Sequence, residues 1–206
     1  MPQKEKKWWV PTDWGEEQAL RVAQEVRRLR GSRSAQWLAD QTAELGHPVS
    51  RSVIADLENG RRRYVTTAEL VILAVALNTT PIALMYPGPY RETIQAMPNL
   101  EVPGIWAVQW FSGRIHTTSD RPFADDGEFI QAPNPDEYNN NLRRLQRAYQ
   151  MWDLDERRKA LRVQLEVQRY RKRHGRDVDD DEISQLVDDI ADIQRRIDEL
   201  RGQDGG

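Results

Sequence analysis

Apolar residues return every three positions between Gly15 and Arg30, at Leu20, Ala23, Val26 and Leu29, and Gly31 stops the run. That spacing predicts a first α-helix with one buried face. Ser34 to Leu45 predicts a second helix, N-capped by Ser34, with Leu38, Ala39, Thr42 and Leu45 on a shared face and Gly46-His47-Pro48 as its breaker. Ser50 is placed to cap a short third helix, Arg51 to Glu58, whose Val53, Ile54 and Leu57 turn inward before Asn59-Gly60 ends it. Thr66 and Glu69 have the spacing of a capping box for a fourth helix carrying Leu70, Leu73, Ala74 and Leu77. Thr80-Pro81 opens a fifth through Met85, with proline at the first helical position, and Pro87-Gly88-Pro89 closes the series. With no strand-like alternation among them, these segments predict an all-α, five-helix domain over 16–89, preceded by an N-terminal tail, 1–15.

Between Tyr90 and Pro135 the pattern weakens. The stretch 90–135 reads as a linker, or as a strap on the first domain, with a short aromatic helix from Gly104 to Phe111 and an irregular acidic segment after it. Periodicity returns at Asp136. Leu142, Leu145, Tyr149 and Trp152, then Ala160, Val163, Val167 and Tyr170, alternate in steps of three and four up to His174, with a phase slip near Asp153–Asp155 that predicts a kink or stutter. After Gly175 and the turn Asp179-Asp180-Asp181, the residues Ile183, Leu186, Ile190, Ile193, Ile197 and Leu200 keep heptad spacing, which predicts a coiled-coil seam. Residues 136–201 are therefore expected to form an antiparallel helical hairpin, and 202–206 a disordered tail.

Charge sharpens this division. The formal net charge of −3 conceals +3 over residues 1–91, −4 over 92–133, +5 over 134–175 and −7 over 176–206. The two arms of the hairpin thus carry opposite signs, and the overall acidity says nothing against a nucleic-acid partner. Arginine outnumbers lysine 25 to 5; it suits bidentate phosphate and guanine contacts, although a GC-rich genome produces the same bias. The chain has no cysteine, and His47, His116 and His174 lie far apart, so neither a thiolate nor a histidine metal site is expected, and no cofactor or small-molecule ligand is evident. No apolar run approaches the ~18 residues of a membrane span, and the basic stretch Met1–Val10 leads into Pro11 and Asp13 rather than an apolar core, which points away from a signal peptide and towards the cytoplasm.

The most informative segment is Val49 to Arg63. A helix that reads DNA needs its N-terminal outward positions open to base edges and its other face anchored. Arg51, Ser52, Ala55 and Asp56 are predicted outward, with Arg51 able to bond guanine O6 and N7 and Asp56 able to accept from a cytosine amine. Asn59, Arg61, Arg62 and Arg63 follow where the chain would run along phosphates. The Leu38-Ala39 pair, the run Ser50-Arg-Ser-Val-Ile54, Leu57-Glu-Asn-Gly60 and Leu73-Ala-Val-Ala-Leu77, in that order, resemble the xenobiotic-response-element (XRE), or Cro/repressor, helix-turn-helix family over residues 16–86, of the sort met in actinobacteria and their phages. The resemblance implies a lambda-repressor-like fold, base reading by Arg51, Ser52 and Asp56, phosphate contacts that include Ser34, Gln36 and Ser50, and a buried ion pair between Arg28 and Glu58. Two departures accompany it: Ala35 stands where the family has a phosphate-binding glutamine, with Gln36 next to it, and the segment between Ala39 and Val49 is longer than the compact lambdoid turn.

These features point to a transcriptional regulator, a phage-immunity or host repressor, that binds a double-stranded operator as a homodimer. The hairpin is the expected dimerisation element, closing a four-helix bundle. Only Lys159 and Lys172 follow Arg91, both in the hairpin, which argues against induction by a serine/lysine self-cleaving domain. The alternative is an antitoxin- or adaptor-type protein whose hairpin grips a protein partner. No catalytic constellation supports an enzyme.

Overall fold

A computed structural model describes residues 8–114 and 134–202. Most of this chain is helical: α1 (Trp14–Arg30), α2 (Ala35–Glu44), α3 (Arg51–Asn59), α4 (Thr67–Ala76) and α5 (Pro81–Met85) are followed by β1 (Thr93–Met97), β2 (Leu100–Pro103), α6 (Gly104–Phe111), α7 (Pro135–Arg173) and α8 (Asp180–Gly202). The chain divides into two compact units between Ser112 and Gly113.

The first five helices begin where their capping chemistry allows. Ser34, Ser50 and Thr80 each accept from a backbone N–H at the start of their helix, and Thr66 with Glu69 completes a reciprocal capping box. Asp13 does the same for α1. Each cap satisfies donors that the helix start would otherwise leave unbonded. Behind them Val22, Val26, Leu38, Ile54, Leu73 and Leu84 close one core.

The compact unit extends further than the expected limit at residue 89. Pro98-Asn99 turns the chain into a two-stranded antiparallel hairpin, β1 against β2, with Ile94 opposite Val102 and a register shift after Gln95. Asn99 takes the left-handed conformation there (φ 62°), which a short polar side chain tolerates. Ala96, Leu100 and Val102 pack with Tyr86 and with Ala107 of α6 in a second small core, and Met85 touches both cores. Arg21 of α1 donates to the Gln95 carbonyl at 2.9 Å. Where an irregular segment was expected, a small hairpin forms: Ile94, Ala96, Leu100 and Val102 alternate in period two, over segments too short to stand out, and the chain stays largely α-helical. The helix expected at Gly104–Phe111 forms, and 90–112 belongs to the first compact unit. The rest of the expected linker, 115–133, lies outside the described residues, as do 1–7 and 203–206.

Part of the N-terminal tail is also built in. The Trp9 indole lies on Gly60, where an added Cβ would fall 2.2 Å from its ring, and the Arg27 guanidinium sits 5.9 Å from the Trp8 ring. Gly60 ends α3 in the left-handed conformation (φ 73°), so both backbone and packing require glycine there.

In the second unit α7 and α8 pack side by side. Gln168 donates to Glu182, Lys172 pairs with Asp180, and Arg158 bonds Gln194, so pairing residues move in opposite directions along the two helices and the hairpin is antiparallel. Leu186, Ile193 and Ile197 are buried in the seam, while Ile183, Ile190 and Leu200 are half-buried on its margins. On α7 the side chains turned to the seam are Leu154, Arg158, Leu161, Leu165 and Gln168, with Leu165 buried. Ala160, Val163, Val167 and Tyr170, expected to share that role, are exposed, and α7 runs through Asp153–Asp155 as unbroken helix.

Candidate functional site

The site is built outward from Thr42. This side chain is fully buried; its hydroxyl accepts from the Val49 N–H at 2.9 Å and donates to the Ala39 carbonyl at 2.8 Å. Val49 is itself in the core. The connection at 45–50, longer than a tight turn, is thus pinned at its far end, which fixes where α3 starts. Ser50 accepts from the Val53 N–H at 3.3 Å, and its hydroxyl shares a 2.8 Å hydrogen bond with that of Ser52.

Helix α3 is anchored on one side by Ile54 and Leu57 and by an ion pair. Glu58 is 5% exposed. Its carboxylate accepts two hydrogen bonds from Arg30, at 2.9 and 2.7 Å, and Arg27 stands 3.9 Å away. The expected pairing of Glu58 with Arg28 is therefore corrected: Arg28 turns to Glu25 on its own helix at 2.5 and 2.7 Å. The residues explain the shift. Arg28 follows Glu25 by three, on the same helix face, whereas Arg30 lies in the last turn of α1, near the end of α3 where Glu58 sits.

The opposite side of α3 begins with Arg51 and Ser52, both exposed, and continues with Ala55 and Asp56, both half-buried. Asp56 is less outward than expected; Arg61 lies 3.6 Å from its carboxylate, and its carbonyl accepts from the N–H groups of Arg61 and Arg62 at 3.0 and 3.1 Å. The chain after the helix is folded back on it by these two bonds. Asn59 is exposed beside them.

The three arginines that follow, expected along phosphates, make different contacts within the chain. Arg62 makes a bidentate pair with Glu69 at 2.6 and 2.9 Å, lies 4.2 Å from the Tyr64 ring and is mostly covered. Burial raises the Glu69 carboxyl, but hydrogen bonds from Arg62 and Thr66 outweigh it and hold the pKa below its ordinary value; the Glu69 bond in turn raises that of Arg62. Arg63 pairs with Glu16 at 3.1 Å and lies 5.2 Å from the Trp9 ring. Only Arg61 of the triplet presents a side chain that is largely open to solvent, 80% exposed. A run of like charges in sequence carries no information about which members find internal carboxylates, so this division was not legible.

At the start of α2, Ser34 and Gln36 are exposed; Ser34 accepts from the Trp37 N–H at 3.0 Å, and Gln36 donates to Asp40 at 2.7 Å. Sequence reasoning passed over Arg33. Its guanidinium lies 3.9 Å from the Trp37 ring and donates to the carbonyls of Leu29 and Arg30 at the end of α1, at 2.6 and 2.9 Å. A basic residue just past a glycine stop was the available signal. What these elements present together is a short helix with a cationic, hydroxyl-bearing N-terminus, a second capped N-terminus on α2 and two exposed arginines, Arg61 and Arg63, beyond. Such an arrangement suits an anionic or hydrogen-bonding partner.

No family model, curated protein or solved structure matches this chain.

Proposed function

We propose that the protein is a sequence-specific DNA-binding regulator, most simply a repressor of the XRE type, that inserts α3 into the major groove of an operator. The observation that carries this reading is the exposure of Arg51 and Ser52 at the start of a helix whose other side is anchored by Ile54, Leu57 and the Glu58–Arg30 pair. A rigid helix with polar groups at its N-terminal end is what base reading requires. Arg51 supplies a bidentate partner for guanine; Ser34, Ser50, Gln36, Asn59, Arg61 and the exposed Arg63 supply phosphate contacts, and Arg62, engaged by Glu69, is the least available of the triplet. One such module buries too little surface to select a site in a genome, so the protein acts as a dimer on a two-fold operator.

Selection of binding duplexes from a random pool by the full chain tests the proposal. A consensus is expected, on which Arg51→Ala costs about 1–3 kcal/mol while random DNA is bound as before, and Arg61→Ala lowers the salt slope by about one. Failure to enrich any sequence, or an equal loss for Arg51→Ala on selected and random DNA, overturns it.

A further inference from the structure

The helix α7 carries apolar residues on two opposed faces. Leu154, Leu161 and Leu165 turn to α8. Val163, Val167 and Tyr170 stand two residues further on from Leu161, Leu165 and Gln168, about 200° around the helix, and are 65%, 45% and 59% exposed. They are spaced i, i+4, i+7, the seam of an amphipathic helix, and they floor an open groove of about 620 Å³ whose rim includes Arg162, Arg171 and Arg176. Between Arg157 and Arg176 the chain has nine lysines and arginines and one carboxylate, Glu166, which Arg169 engages at 3.2 Å. Lys172 pairs with Asp180 of α8, and Arg158 and Lys159 pair with Asp155 and Glu156, but among the described residues the rim arginines Arg162, Arg171 and Arg176 meet no carboxylate.

We propose that this outer face of α7 docks an acidic amphipathic helix from a partner protein. Apolar side chains of the partner at heptad positions would fill the spaces along Val163, Val167 and Tyr170, and its flanking carboxylates would meet the rim arginines. Charge decides against a second copy of this chain. An antiparallel pairing that sets Val163 against Val167 brings Arg157 opposite Arg173 and Lys159 opposite Arg171, and a parallel pairing sets each arginine against itself; both are like-charge contacts. The apolar centre decides against nucleic acid, whose phosphates would desolvate against valines. The inference is independent of the DNA-binding reading, since it concerns the other unit.

The test uses the full chain and two fluorescein-labelled synthetic helical peptides of about three heptads, both with leucine at the seam, one flanked by glutamate and the other by lysine. Fluorescence anisotropy is expected to show the glutamate peptide binding at least about tenfold tighter. Val167→Asp, at an exposed position, is expected to abolish that advantage with the far-UV circular dichroism unchanged, and Arg162→Glu with Arg171→Glu to reverse the preference. Equal binding of the two peptides, no binding of either, or binding untouched by Val167→Asp overturns the proposal. So does a sedimentation mass of two chains that falls to one with Val167→Asp, which would assign the face to self-association.

Discussion

The helical module and the hairpin are built from the same currency of helix and leucine, yet they close differently. In the first unit Leu38, Ile54, Leu73 and Leu84 are at most 1% exposed, because five helices surround them from several directions. In the hairpin the best-covered side chains, Ile197, Ile193 and Leu165, reach 2%, 5% and 7%, and they lie along a single seam. Two helices can cover one face of each other and no more. Every further apolar residue on either helix is therefore left at the surface, and on α7 those residues form a second stripe. The polar groups divide the same way. The module buries charge in pairs, Glu58 with Arg30 and Arg62 with Glu69, whereas the hairpin's Lys172–Asp180 and Arg195–Asp192 pairs stand in solvent. A surface pair contributes about 0–1 kcal/mol, while breaking a buried one leaves an uncompensated charge.

The largest expected effect breaks the module at its ion pair. Glu58→Ala strands the Arg30 guanidinium, itself 12% exposed, and should cost about 3–5 kcal/mol in denaturant unfolding followed by tryptophan fluorescence. Six of the seven tryptophans lie in the first unit, with only Trp152 in the hairpin, so this signal reports the module. A double-mutant cycle should show strong coupling of Glu58 with Arg30 and none with Arg28; coupling with Arg28 would restore the pairing that the sequence suggested. Next in size is the hairpin seam. Ile197→Ala should cost about 2–4 kcal/mol, since its neighbours cannot collapse fully into the space, while Val163→Ser on the outer stripe should stay within about 0.5 kcal/mol. Both are read from the helical circular dichroism signal. Equal costs would mean that α7 meets α8 through the stripe placed here on the outside.

These outcomes bear on how far the chain could be read without its structure. The caps at Ser34, Ser50, Thr66 and Thr80 and most core positions of α1–α4 were legible because capping and periodicity are local: the residues that decide them lie within a few positions of each other; Leu45, expected on the apolar face of α2, is its C-cap and 46% exposed. The outer stripe of α7 shows the limit of the same rule. Periodicity reveals that Val163, Val167 and Tyr170 share a face but not which neighbour, if any, that face meets, and the inner set of Leu154, Leu161 and Leu165 was equally periodic. For the candidate site, the position of α3 and the exposure of Arg51 and Ser52 followed from the Ser50 cap and the Ile54–Leu57 anchor. The fates of Arg62 and Arg63 did not, because Glu69 and Glu16 lie seven and forty-seven residues away, on other elements, and only tertiary packing brings them together. Trp9 on Gly60 is a long-range contact of the same kind.

The smallest effect separates the two units by acid. The Glu69 carboxyl has a folded pKa below its ordinary value of 4.5, since the bonds from Arg62 and Thr66 favour the charged form more than burial disfavours it. A group depressed in this way stabilises the module fully above its ordinary pKa, and loses that contribution as pH falls through the lower, folded value. Glu69→Gln should therefore cost about 1–2 kcal/mol at pH 7 and progressively less as the pH is taken below 4. Asp180→Asn in the hairpin, whose partner Lys172 is exposed, should change stability by about 0.5 kcal/mol or less at pH 7. Denaturant midpoints of the full chain, read by tryptophan fluorescence for the module and by far-UV circular dichroism for the hairpin, measure both. A cost for Glu69→Gln that is the same at pH 7 and pH 2.5 would show that the carboxylate acts through its shape and capping bonds alone, and the module's buried charge would then no longer distinguish it from the hairpin.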